Sequence, residues 1–272
     1  IIKDIIKTND RLYRLSSKIS DLSEELNIPS FLVGGCVRDL LIDPSIDSVD
    51  IDIMVEGNAI DYAKKLAKTL GVKTIVPFPE FATARIPYDE CEIEVASARL
   101  ESYDSKSRKP KSVDMTDVIS DLKRRDFTVN AIAISLSKDN FGELIDPFDG
   151  LQHLKSKILK TPDNPDETFS EDPLRMVRAA YFASKLSMDI DKECLQSLKK
   201  NADRIKIVSQ ERITNELLKI LNTASPSIGL ILLEENGLLE YIFPEIHIMY
   251  GLDQTSEWHH KDIFFHTMEV VD

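Results

Sequence analysis

Two acids stand at alternate positions in the segment Ser48–Gly57: Asp50 and Asp52, interleaved with Ile51, Ile53 and Val55. Strand geometry puts the two carboxylates on one face and the aliphatic side chains on the other. Their Cα atoms would then lie about 6.5–7 Å apart. Like charges so placed repel unless a cation joins them, and a divalent metal would use both as oxygen ligands. The plain alternative is a solvated polar face of an edge strand. Upstream, Gly34 and Gly35 open the run Gly-Gly-Cys-Val-Arg-Asp at the junction of an apolar strand and a short helix. Glycines there let backbone N–H groups approach an anion beside a helix N-terminus, and Arg38 adds a fork for phosphate. The spacing is neither that of a P-loop nor of a dinucleotide fingerprint. A glycine turn followed within 20 residues by Asp-X-Asp suggests a phosphate cradle beside a metal pair. Glu92 and Glu94 also share a strand face, and one of them could complete the metal site.

The elements that must position these groups follow from periodicity. Apolar residues from Ile2 to Leu26 recur at helical spacing, and Asn27-Ile28-Pro29 ends that helix. Strands are expected at 31–35, 49–56, 82–88, 91–99 and 126–135, with a hairpin about Asp89 and a strand end near 143–150. A short helix follows Gly35, and an amphipathic helix over 58–71 closes at Gly71. Residues 101–117 are polar, basic and aperiodic, which predicts a mobile loop. After Pro165 the pattern becomes helical, over about 170–186, 191–202, 208–222, 225–236 and 238–243. The fold class is therefore α+β, an α+β head followed by an all-α tail.

The 272 residues carry 42% hydrophobic and 30% charged residues, the profile of a soluble globular chain. No apolar run spans a bilayer and no signal peptide opens the chain. The first residue is not Met, and the chain reads as a fragment. Three scattered cysteines fit neither a disulfide framework nor a cysteine-type zinc site, which points to a reducing cytoplasm. The net charge of −13 argues against nucleic-acid binding over the whole surface. It leaves local basic islands at 106–111, 123–125 and 199–206.

Six ordered segments carry a resemblance: LVGGCVRDLL, VDIDIMVEG, DLKRRDFTVNAIAI, IDPFDGLQHLKSKIL, EDPLRMVRAAYFA and SQERITNELLKIL. Over about residues 31–245 the chain resembles the class II tRNA nucleotidyltransferases, which include CCA-adding enzymes and bacterial poly(A) polymerases. The resemblance implies a polymerase-β-like nucleotidyltransferase head over 1–157, a helical neck over 158–224 and a helical body over 225–272. It implies two Mg²⁺ ions at Asp50 and Asp52; Glu94 is the expected third catalytic carboxylate, with Glu92 as the alternative. One ion would lower the pKa of the primer 3′-hydroxyl and the other stabilise the pyrophosphate leaving group. Gly34, Gly35 and Arg38 match residues that hold the triphosphate. Arg124 and Arg125 would neutralise its charge, and Asp126 and Asn130 would orient the ribose or the arginines.

Asp172 and Arg175 are expected on one helix face, three residues apart. An Asp accepts and an Arg donates. Cytosine and adenine both present an amino donor beside a ring-nitrogen acceptor, so the pair would accept C and A and leave G and U with unpaired groups. Arg178 matches a further nucleotide-contacting arginine; some relatives carry another arginine where this chain has Tyr181. Glu211 and Arg212 would support the template helix. Lys199, Lys200, Arg204 and Lys206 form the expected RNA-binding face of the neck.

The implied activity is addition of C, A or both to a tRNA 3′ end from CTP and ATP. A poly(A) polymerase, a CC-only or A-only enzyme, and a silent RNA-binding paralogue are the alternatives. The interval before the Arg-Arg-Asp motif lacks the basic-aromatic stretch of the poly(A) enzymes, and the long 101–117 segment favours A addition. The segment 258–272 resembles the opening of an HD phosphohydrolase domain with His266 as first ligand. The decisive His-Asp pair is absent from this sequence, and a surface helix is the expectation for it.

Overall fold

The computed structural model describes residues 2–46, 50–89, 91–104, 107–252 and 262–272, with backbone alone at 2–4, 100–104 and 107–114. Two units divide the chain, Ile1–Gln152 and His153–Asp272.

The first unit opens with α1 (Ile2–Thr8) and α2 (Asp10–Leu26). The single helix expected here is broken because Asn9 caps α2, its Oδ1 accepting from the Leu12 N–H at 2.9 Å. Asn27, at φ 52°, ends α2 as expected. There follow β1 (Ser30–Val33), α3 (Gly35–Ile42), β2 (Ile51–Val55) and α4 (Ala59–Leu70), which stops at Gly71 in the left-handed conformation. Next come β3 (Val76–Phe78), β4 (Thr83–Tyr88) and β5 (Cys91–Ser97), the last two forming the predicted hairpin. The seven-stranded sheet has the order β3-β4-β5-β2-β1, continued by β8 (Ala133–Ser135) and β9 (Leu144–Ile145). Only β2 and β5 pair in parallel; the other neighbours are antiparallel.

Alternation assigns the faces of this sheet. Leu32, Ile53, Val55, Ile93 and Val95 bury against Leu15 and Ile19 of α2 and Tyr62 and Leu66 of α4. One polar knot sits in that layer: Ser23 Oγ lies 2.6 Å from Ser30 Oγ and 2.7 Å from the Tyr62 hydroxyl. The opposite face has a smaller cluster of Phe31, Val33, Met54, Leu122 and Ala133. Asp52 shares parity with Met54 and so belongs to this second face.

Two expectations are corrected here. Residues 101–117 are not a loop: β6 (Arg99–Asp104) and β7 (Ser107–Met115) form an antiparallel ribbon. Their ladder satisfies the backbone without an apolar stripe, so the period-two signal is missing from the sequence. Residues 126–135 are not one strand: a 3-10 turn at Thr128–Asn130 follows α5 (Val118–Lys123), and only β8 is extended.

Helix α6 (Gly150–Ser156) leads into the second unit. There β10 (Ile158–Leu159) pairs in parallel with β11 (Asp189–Ile190), a small ladder that the helical pattern conceals. The rest is helical: α7 (Pro165–Glu171), α8 (Leu174–Leu186), α9 (Lys192–Asn201), α10 (Gln210–Leu221), α11 (Pro226–Glu235), α12 (Leu239–Ile242), α13 (Pro244–His247) and α14 (Ile263–Val271). Gly229 lets α11 lie close on α8 and α10. A Cβ there would sit 2.7 Å from Ser184 Oγ and 2.9 Å from the Ala180 carbonyl. The helix expected over 170–186 is two helices, because Pro173 disfavours helical backbone at Asp172, which is extended at φ −131°, ψ 95°. Helix α14 is a surface helix that buries Phe264 and Met268. The histidines at 259 and 260 lie outside the described residues. Among the described residues no helix is long and apolar enough to cross a membrane.

Candidate functional site

In the first unit the site grows from the β1–α3 junction. Gly34 caps α3 at φ 70°, a conformation that L side chains rarely adopt. A Cβ on Gly34 would stand 3.0 Å from Arg125 Nη1 and 3.4 Å from Asp52 Oδ2. The missing side chain thus leaves a notch between one cation and one carboxylate. Asp52 lies within β2 and is partly buried, whereas Asp50 immediately precedes the strand and is exposed. The acids are therefore neighbours at the mouth of the strand, not two rungs of one ladder as the pattern suggested.

Asp52 stands opposite Glu94 in the parallel β2–β5 register. Burial pushes the Asp52 carboxyl up to about 6; Glu94 and Asp50 add to the rise, against the pull of Arg125 and Arg85. Glu94 itself is turned to Arg85, its partner in the β4–β5 register, with Oε2 3.0 Å from Nε. Glu92 lies 3.7 Å from the same guanidinium. Among the described residues no group of three or more His, Cys, Asp or Glu side chains is gathered to hold a metal ion. Glu94 stands near enough to Asp52 to raise its carboxyl, and its Oε2 is at the same time held by Arg85. What remains fits Mg²⁺ in another manner: a hard cation taking one or two carboxylates and completing its shell from phosphate and water. The raised Asp52 carboxyl and the notch at Gly34 both suit a cation there.

The arginine motif is organised by Asp121, which the sequence offers, with Asp126, as the plain ion-pair partner of one arginine and which holds both. Asp121, 1% exposed, accepts from Nε and Nη2 of Arg124 and of Arg125, and from the Arg99 backbone N–H. Burial alone would raise its carboxyl. The charges of Arg125 and Arg124 outweigh that and hold it below the usual carboxylate range. Its sequence signal was a helical i, i+3, i+4 relation to the two arginines. Arg125 Nη1 also donates to the Asn130 carbonyl at 3.4 Å.

Arg38 is not an open fork. It is 3% exposed, with Nη1 2.6 Å from Asn130 Oδ1 and Nε 2.8 Å from Asp39 Oδ1. Asn130 Nδ2 donates in turn to Asp126 Oδ1 at 3.0 Å. Arg38, Asn130 and Asp126 thus form a buried chain that braces the glycine turn against the arginine loop. The motif at 145–150 is also structural: Asp146 accepts from the N–H groups of Gly150 and Leu151 and caps α6. A Cβ at Gly150 would sit 2.2 Å from the Thr128 carbonyl.

In the second unit Asp172 does not share a helix with Arg175. It sits in the break before α8, where Oδ1 accepts from the Leu174 N–H at 3.1 Å and Oδ2 meets Arg212 Nη2 at 3.1 Å. Arg175, on α8, donates to the Thr168 carbonyl at 3.3 Å and lies 3.7 Å from Glu171. Arg178 lies 3.7 Å from the buried Glu216 and stacks on Phe182 at 5.2 Å. The expected basic face is largely engaged within its own unit. Lys200 pairs with Asp166, Arg204 donates to the Ser170 carbonyl and Lys206 sits 4.2 Å above the Tyr241 ring. Lys199 is exposed.

A mixed sheet presenting a glycine turn, two neighbouring carboxylates and a braced arginine pair, followed by helices, defines a nucleotidyltransferase head on a helical unit. Comparison with known proteins agrees. The family model described as the poly A polymerase head domain matches residues 30–160. The model described as the probable RNA and SrmB-binding site of polymerase A matches 187–249. The chain belongs to this family of poly(A) polymerases and tRNA nucleotidyltransferases. It is 36% identical over 239 residues to an A-adding tRNA nucleotidyltransferase of Aquifex aeolicus, covering 85% of this chain and 28% of that protein. It is 36% identical over 237 residues to a CCA-adding enzyme of Limosilactobacillus reuteri, covering 87% and 56%. A solved CCA-adding enzyme in its apo form superposes with a TM-score of 0.81 at 32% identity, covering 90% of this chain and 57% of that one. A tRNA nucleotidyltransferase complexed with a primer tRNA and an ATP analogue gives 0.72 at 33% identity, covering 85% and 66%. The chain thus spans about half the length of the CCA-adding relative and little more than a quarter of the A-adding one.

Proposed function

We propose that this chain carries the catalytic and base-selecting parts of a tRNA nucleotidyltransferase that adds C, A or both to a tRNA 3′ end from CTP and ATP. The observation that carries the reading is the notch at Gly34, framed by Asp52 and Arg125. A carboxylate and a guanidinium beside one backbone gap suit a triphosphate with its counter-cation. In the reaction the RNA 3′-oxygen bonds to the α-phosphorus, the α–β phosphoanhydride bond breaks, and pyrophosphate leaves. Asp50 and Asp52 would hold Mg²⁺, which would supply activation of the 3′-hydroxyl and stabilise charge on the leaving group. Arg124 and Arg125, fixed by Asp121, face the triphosphate. The glycine turn lets its oxygens approach the backbone. Asp172 and Arg175 read the base edge, with Arg212 steadying Asp172.

Relatives named for A addition and for CCA addition match equally well, so the reading keeps both nucleotides. The test is Mg²⁺-dependent incorporation of labelled CTP and ATP into tRNA ending at the discriminator base, at C and at CC. Stops after one to three additions are expected. Failure to incorporate either nucleotide would overturn the reading. A long run of A would favour the poly(A) alternative that the head-domain model names.

A further inference from the structure

Helices α8 and α10 pack side by side. Near their C-terminal ends they frame a cleft of about 400 Å³ lined by Tyr181, Lys185, Lys219, Asn222, Thr223 and Ala224. Arg178, Tyr181 and Lys185 recur at i, i+3 and i+7 and so share a face of α8. The Tyr181 ring is half-buried, backed by Phe182 at 5.0 Å, with Lys185 Nζ 6.0 Å from its centre. Across the cleft Lys219 Nζ is held at 2.8 Å by Glu216 Oε1. Glu216 is 5% exposed, and its second oxygen, also buried, has no hydrogen-bond partner among the described residues. This carboxylate fixes one lysine and lies near Arg178 from beneath.

On a chain of net charge −13, the residues lining this cleft include two lysines and no acid. A flat ring beside two ammonium groups suits a nucleotide, while Asn222 Nδ2 and Thr223 Oγ1 donate to the Leu218 and Ile220 carbonyls. Bases stack on aromatic faces without regard to sequence, and lysines take the phosphates. Tyr181 lies six residues beyond Arg175, about 9 Å along the helix. A stacked strand rises about 3.4 Å per nucleotide. The cleft is therefore some two or three nucleotides from Arg175 along that axis. An acidic peptide would meet the lysines but leave the ring face unused.

We propose that this cleft is a single-strand RNA subsite, with one base on Tyr181 and flanking phosphates on Lys185 and Lys219. The proposal rests on the reading that RNA is the acceptor substrate. The test measures binding of a fluorescent single-stranded RNA ending in CC by anisotropy across a salt series, using the whole 272-residue chain. Tyr181→Ala should weaken binding about 5-fold or more, and Tyr181→Trp should keep it near wild type. Lys185→Ser and Lys219→Gln should each lower the slope of log affinity against log salt by about 0.7. These exposed lysines give a second readout should Tyr181→Ala not fold. KM for CTP and ATP should stay unchanged in Tyr181→Trp and Lys185→Ser. Wild-type RNA affinity and slope in all variants would overturn the proposal. So would a raised nucleotide KM with unaltered RNA affinity, which would assign the cleft to the incoming nucleotide. If the wild-type chain binds RNA here yet incorporates nothing, the functional reading falls and the subsite stands.

Discussion

Asp121 meets Arg125 side-on, its Oδ2 accepting from Nε at 3.3 Å and from Nη2 at 3.1 Å. Its other oxygen accepts from Arg124 Nε at 3.0 Å and Nη2 at 2.5 Å. Two adjacent guanidiniums repel, and a single buried carboxylate both relieves that repulsion and fixes their planes. Arg125 is thereby held with Nη1 at the Gly34 notch. The geometry of the arginine pair is thus set by an aspartate three residues upstream of the first.

Asp121→Asn should therefore cost stability as well as nucleotide affinity. Removing one partner of a buried pair typically costs about 3–5 kcal/mol. Here both guanidiniums keep some contact with water, so about 2–3 kcal/mol is expected, read by urea unfolding at pH 7. The pH dependence has a definite sign. A carboxyl held below its unfolded range contributes stability above that range and loses it as pH falls through the folded value. Wild type should lose stability on acidification below about pH 4, and Asp121→Asn should show a flatter acid limb. Parallel acid limbs would remove Asp121 from this role.

Gly34→Ala should strike the notch directly. The backbone there, at φ 70° and ψ −137°, lies in a sparsely populated region that costs a non-glycine residue about 1–3 kcal/mol. The new methyl would also press on Arg125 Nη1 at 3.0 Å. Calorimetry should show nucleotide affinity reduced about tenfold, while Gly71→Ala, where a Cβ meets nothing within 4 Å, should affect stability only.

Asp52→Asn should separate function from stability. Turnover should fall by about 10²–10³-fold or more, as for loss of a group aimed at developing charge. Without Mg²⁺ the variant should melt higher than wild type. The Asp52 carboxyl, raised to about 6, is penalised in its ionised form, so this contribution is present at low pH and lost as pH rises through about 6. The gain in chelator above that pH has a ceiling of about 3 kcal/mol. A lower melting temperature at pH 8 in chelator would contradict the strain assigned to this carboxylate.

Much of the head was legible because its signals are local. The glycine pair, the alternating acids and the arginine motif each occupy a few consecutive residues, and β4–β5 announced itself by alternation about Asp89. What the sequence concealed depends on long-range partners. Nothing near Arg38 says that Asn130, 92 positions away, takes its Nη1 into the interior. Nothing near Glu94 says that Arg85 holds it. The ribbon of β6 and β7 lacks an apolar stripe, so it looked like loop. The break at Asp172 was written in the sequence, since a proline follows it, but the strength of the surrounding helical pattern masked the signal.

That break matters for the base selection proposed for Asp172 and Arg175. An aspartate inside a helix would offer its carboxylate from a fixed face beside Arg175. Freed from the helix by Pro173, Asp172 needs other restraints, among them the Leu174 N–H on Oδ1 and Arg212 on Oδ2. Asp172→Ala should relax the preference for CTP over UTP and for ATP over GTP by about tenfold or more in kcat/KM, with triphosphate affinity less affected. Arg212→Ala should lose part of the same discrimination through disorder of Asp172, and Arg212→Lys should recover some of it. Single-nucleotide incorporation with each of the four triphosphates measures all three variants. If Asp172→Ala discriminates as wild type does, base choice lies elsewhere. If only Arg212→Ala discriminates as wild type does, Asp172 is held without Arg212, and the Arg212 contact is a surface ion pair of the ordinary, weakly contributing kind.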